Sequence, residues 1–204
     1  MRLPDLLAAI AAGTRLPADG TVDVVAPSRS GEAAVLAFTG RTLIVADVDP
    51  GWVRTVLPDG DLSAPLCPPF LTLLAERTGR TTHGIDLVSV AAPTMEPPPE
   101  GLRRTPERDH PRVRRALSYR RDVRVWTLDE GTLILGRGVG GRREVAVEVE
   151  PQHRGRGLGR ILARAARSLS TEPVWAQVAP GNAASVRAFL AAGYRPVGSE
   201  SLLT

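Results

Sequence analysis

The chain has 204 residues, 43% hydrophobic and 24% charged, the balance of a folded protein rather than a disordered one. A single cysteine, Cys67, excludes an internal disulfide and argues against a cysteine-based metal site; no apolar run approaches the roughly 18 residues a spanning helix needs. Every basic residue is arginine, and the charge is uneven: residues 1–100 carry 7 arginines against 12 acids, residues 101–204 carry 19 against 10. That asymmetry suggests two units with different partners, the second suited to a nucleic acid, an acidic protein or a phosphorylated cofactor.

The chain opens on a short apolar run interrupted by Pro4 and Asp5, which reads as a helix over 4–12 rather than a signal peptide and implies a cytoplasmic protein. Strands are predicted at 21–26, 33–39 and 42–47, the last two joined by a Gly40-Arg41 hairpin turn. A further strand is expected at 52–57, a helix at 68–77 ended by Gly79, and a strand at 85–91. Cys67 lies in an apolar, proline-rich stretch and is expected to be a buried structural thiol.

Three consecutive prolines at 97–99 can continue neither a helix nor a central strand. They place a linker at 97–100, between an acidic α/β domain over 1–96 and a second domain over 101–204. There a helix is predicted at 110–120, a hairpin from 123–128 to 132–137, and a strand at 144–150. That strand alternates Val145, Val147 and Val149 against Glu144, Ala146 and Glu148. A helix over 158–169, a strand over 174–178, a helix from the cap Asn182 to Ala192 ended by Gly193, and a strand over 195–203 complete a mixed α+β sheet of α/β class. The two halves share an order of elements, so a degenerate internal repeat is weighed against the ordinary likeness of any two α/β units.

The informative stretch joins the valine-rich strand to the next helix through Arg154-Gly-Arg-Gly157-Leu-Gly159-Arg160. Glycines admit close approach and positive φ, free helix amides point into the loop, and three arginines surround it: an anion site. It is not a Walker loop, which needs lysine, nor the dinucleotide fingerprint, which would need glycine where Arg160 stands. It does resemble the Q/R-x-x-G-x-G/A motif of the GCN5-related N-acetyltransferase (GNAT) superfamily. Asn182 to Tyr194, a helix ending in Gly-Tyr, is similar to the superfamily's second signature, and Leu102 onward to its opening strand; the resemblance spans about 100 residues.

The resemblance implies a GNAT-like fold for 101–204 that binds acetyl-CoA and acetylates an amine by direct attack. The pyrophosphate would sit on the amides from Gly155 to Arg160, with Arg154, Arg156, Gly157, Leu158 and Gly159 around it. Pantetheine would lie along Val147 and Val149 between strands that splay apart. Asn182, Ser185 and Phe189 would complete the cofactor site. The Val149 amide would hold the thioester carbonyl. Glu148 is the candidate base, with Glu144 second. Many members of the superfamily carry tyrosine at the position of Phe189 as the acid; with phenylalanine there, Tyr194, Ser185 or water is left as the proton donor.

The region between the opening strand and the next is short, which suggests that the first half lends a wall to the acceptor site. At its matching turn it reads Pro58-Asp-Gly-Asp, with acids where phosphate would lie, and its acidity would attract a cationic acceptor. The small-molecule or peptide acceptor is not encoded, and a homodimer is left open. A non-catalytic acyl-CoA-binding module and, further off, a nucleic-acid-binding domain are the alternatives; 4% aromatic content offers the latter no stacking platform.

Overall fold

A computed structural model describes residues 2–14, 20–27 and 32–204. The chain divides into two compact units. The first comprises residues 1–88 and 197–204, the second residues 89–196. The prolines at 97–99 therefore fall inside the second unit, and the last strand returns to the first.

The first unit is built on α1 (Leu3–Ala11), β1 (Thr21–Val25), β2 (Ala33–Phe38), β3 (Arg41–Val45), α2 (Pro50–Val56) and α3 (Pro68–Thr78). β4 (Asp86–Ala91) begins in it, and β10 (Arg195–Leu203) ends in it. β1 pairs parallel with β3, β3 antiparallel with β2, and β2 antiparallel with β10 from Phe38↔Gly198 to Ala33↔Leu203. Ile44, Val35, Val53, Phe70, Leu74 and Leu203 pack into one core. Of residues 52–57, expected as a strand, 52–56 lie in α2 and Leu57 caps its end. Asp49 caps that helix, its carboxylate accepting the Gly51 amide at 3.0 Å, and Pro50 occupies the first helical position. The order of elements that suggested an internal repeat departs there. Cys67 is half-buried rather than buried.

The second unit follows the sequence closely. β5 (Arg103–Thr105), α4 (Pro111–Tyr119), β6 (Arg121–Leu128), β7 (Gly131–Arg137), β8 (Arg143–Val149), α5 (Leu158–Ser168), β9 (Val174–Val178) and α6 (Ala183–Ala191) succeed one another. β5 to β8 are antiparallel neighbours, and β9 joins β8 in parallel. Strand alternation sorts the side chains onto two faces. Leu133, Leu135, Val145, Val174 and Ala176 pack with Leu162, Ala166 and Phe189 of α5 and α6. Val125 and Ile134 pack with Val113 and Ala116 of α4 on the other face. Among the described residues no helix is long and apolar enough to cross a membrane.

Candidate active site

Two features of the second unit meet at the end of β8. The first is a parting of strands. β8 and β9 pair only from Arg143↔Val174 to Val145↔Ala176, yet β8 runs on to Val149 and β9 to Val178. Just past β8, the Glu150 amide donates to the Glu130 carbonyl at 3.0 Å, on the β7 side. By alternation the amides of Val147 and Val149 point the other way, toward the edge that β9 has left. Their side chains pack against the α5–α6 core.

The second feature is the loop into α5. Gly155 and Gly157 adopt φ of +78° and +88°, a conformation that side chains with a Cβ resist, and a Cβ at either would meet open space. Among the described residues no acceptor is found for the amides of Gly155, Arg156 and Gly157, and Leu158 and Gly159 lie in the first helical turn. The Arg160 amide, expected to be part of the cradle, is taken: it donates to the Gly157 carbonyl at 3.0 Å. A Cβ at Gly159 would make only ordinary contacts, 3.8 Å from Ala188 and 3.9 Å from Val149. The Arg156 and Arg160 side chains are exposed, while the Arg154 guanidinium donates to the Val149 carbonyl at 2.9 Å and ties the loop to the strand end. Positively charged, open and rich in unmet donors, this bend suits a diphosphate, and the parted strands beside it suit an extended amide-bearing chain. These residues fit coenzyme A.

The two glutamates of β8 separate in role. Glu144 is 3% exposed, and its carboxylate accepts from Arg120 Nε and Arg142 Nε, each at 2.8 Å. A Cβ at Gly138 would collide with it. Burial pushes its carboxyl up, but the charges of Arg142 and Arg120 and their hydrogen bonds outweigh burial and hold it below the usual carboxylate value. It is spent on a buried ion cluster, with Arg142 also stacked 5.3 Å over Trp175 and Arg120 reaching Gln177 at 3.0 Å. Glu148 is half-buried on the same face and accepts from Arg112 Nε of α4 at 2.8 Å. Nothing in the sequence announced Arg112, which lies 36 residues away.

On the other face Asn182 caps α6, its Oδ1 accepting the Ser185 amide at 3.1 Å, and Ser185 is half-exposed. Phe189 is buried edge-on against Tyr194, ring centroids 5.0 Å apart. The Tyr194 hydroxyl donates to the Ala163 carbonyl at 3.1 Å, and burial raises its pKa well above the usual phenol value. Of the three proton donors left open by Phe189, Tyr194 is thus already committed to the core.

A sheet that parts beside a donor-rich helix start offers an edge to an extended chain and a cradle to an anion. Residues 100–194, a little under half of the chain, match the acetyltransferase (GNAT) family model. No curated protein matches the sequence. Solved structures with some likeness include a GCN5-related N-acetyltransferase from Kribbella flavida, 18% identical with a TM-score of 0.42 over 66% of this chain and 63% of that one. Another is a protein from Novosphingobium aromaticivorans DSM 12444 described as an acetyltransferase of the GNAT family, also 18% identical at 0.42, over 61% of this chain and 66% of that one. The chain thus spans just under two thirds of each.

Proposed function

We propose that the second unit transfers an acetyl group from acetyl-CoA to an amine. The observation that carries this reading is the adjacency of the parted β8–β9 edge and the donor-rich bend at 155–159. When bound, acetyl-CoA supplies the thioester from which the acetyl group departs.

The chain's own residues divide the remaining work. Amides of 155–159, with Arg156 and Arg160, hold the diphosphate. The Val149 amide, facing the gap, donates to the thioester oxygen and stabilises the negative charge that develops there as the amine attacks. Glu148 takes the proton that the amine must lose, through the Oε1 that Arg112 leaves open. Ser185 or water would supply the proton that the departing thiol needs, because Phe189 has none to give and Tyr194 is engaged.

Native mass spectrometry of the purified protein tests the cofactor: retained CoA or acetyl-CoA is expected, and a protein that neither retains nor binds either one overturns the reading. Phe189 and the locked Tyr194 favour one rival, an acyl-CoA-binding module without turnover. CoA release above the buffer rate with an amine panel separates the two.

A further inference from the structure

The Arg112–Glu148 pair joins α4 to β8 by one bond, Nε to Oε2 at 2.8 Å. Both side chains keep solvent access, 41% and 31%. Among the described residues neither Nη of Arg112 nor Oε1 of Glu148 has a hydrogen-bond partner. A guanidinium offers five donors in a planar fork, and this one uses a single arm. The other arginines within α4 are placed differently: Arg114 donates to the Asp109 carbonyl, and Arg115 stacks 5.2 Å over Tyr119. On the same face, Glu144 has both carboxylate oxygens taken, one by Arg120 and one by Arg142. What remains open on this face of β8 is therefore a bipole: two Nη donors beside one carboxylate oxygen.

We infer that this bipole reads the acceptor, and that the acceptor is a free α-amino acid. The inference rests on the transferase reading, with Glu148 as base. The ammonium of an amino acid and its carboxylate flank one carbon, matching a carboxylate and a guanidinium already side by side. The acceptor's carboxylate seats on the Nη fork of Arg112, a bidentate geometry that lysine cannot supply. Its ammonium meets Glu148 Oε1, where one proton passes to Glu148 and the neutral amine is left to attack. The opposite charges of the pair hold each other in place before the acceptor arrives, so little ordering is left to the binding step. This narrows the acceptor beyond the purely cationic one expected from the acidity of the first half.

The test uses the full chain saturated with CoA, titrated calorimetrically with matched sets: each L-amino acid, its amide and its decarboxylated amine. Acetyl transfer to the same sets is measured in parallel by thiol release. At least one amino acid should bind, and exceed its amide in both binding and kcat/KM by about ten- to a hundredfold, the usual worth of a charged hydrogen bond. Arg112→Gln should erase that gap mainly through KM, and Arg112→Lys should restore part of it. The inference falls if amide and amine serve as well as the acid, or if no amino acid binds the CoA-loaded protein. It falls equally if Arg112→Gln lowers all three alike together with the Tm, which marks a mere tether. CoA affinity, measured first in the same cell, reports on the transferase reading separately.

Discussion

Two turns of this chain offer free backbone amides, and they resolve them in opposite ways. In the first unit, the bend after α2 supplies its own anion: Asp61 Oδ1 accepts from the Ser63 amide at 2.9 Å, from the Ser63 hydroxyl at 2.6 Å and from the Ala64 amide at 3.2 Å. In the second unit, the bend at 155–159 presents donors and positive charge, and among the described residues no carboxylate accepts from them. One nest is filled by the sequence and the other is left for a ligand. Net charge runs the same way, −4 for the first unit and +8 for the second.

The largest test of that contrast is Gly157→Val. The residue sits at φ +88°, and its missing Cβ faces the open space assigned to phosphate. A β-branched side chain both strains the backbone and fills that space, so the folded variant should bind acetyl-CoA at least about a hundredfold more weakly by calorimetry. Unchanged affinity would move the diphosphate elsewhere. Glu148→Gln comes next: kcat should fall by about a hundredfold or more, with acetyl-CoA affinity unaltered, because a base and not a cofactor contact is removed.

Glu144→Gln should act on stability instead. Breaking a buried, paired charge costs about 3–5 kcal/mol, read from denaturant unfolding. The sign with pH follows from its depressed pKa in the folded protein. The stabilisation is present above the unfolded carboxyl's value near 4.5 and disappears as pH falls through the lower folded value, so wild type and variant should converge in acid. A gap that widened in acid would contradict the ion cluster around Glu144.

How much of this was legible in advance depended on range along the chain. The second unit could be read because its signals are local: alternating valines for β8, glycines before α5, Asn182 before α6. The same locality misled at 52–57, where β-branched Val53, Thr55 and Val56 look like a strand. The decisive signal was upstream, in the Asp49-Pro50 start that caps a helix. Long-range pairings left no trace in the sequence. Arg112 with Glu148, the Arg120–Glu144–Arg142 cluster, and β10 returning to β2 all join residues that only the fold brings together. Glu144 and Glu148 look equivalent on one strand face; the arginines that reach them set them apart.

The smallest effect tests the other turn. Asp61 is fully exposed, and its hydrogen bonds to Ser63 hold its carboxyl below the usual range. If those bonds are what satisfies the bend, Asp61→Ala should leave the Ser63 and Ala64 amides exchanging measurably faster with solvent deuterium, while Tm moves little and acetyl-CoA affinity stays put. An emptied nest should also gain weak affinity for phosphate, visible as salt-dependent shifts of the same two amide resonances, since the donors that remain are those an anion needs. Exchange unaltered by the substitution would mean that the backbone alone shapes this turn. The contrast between a nest closed by its own carboxylate and one left open would then rest on the glycines and arginines of the second unit only.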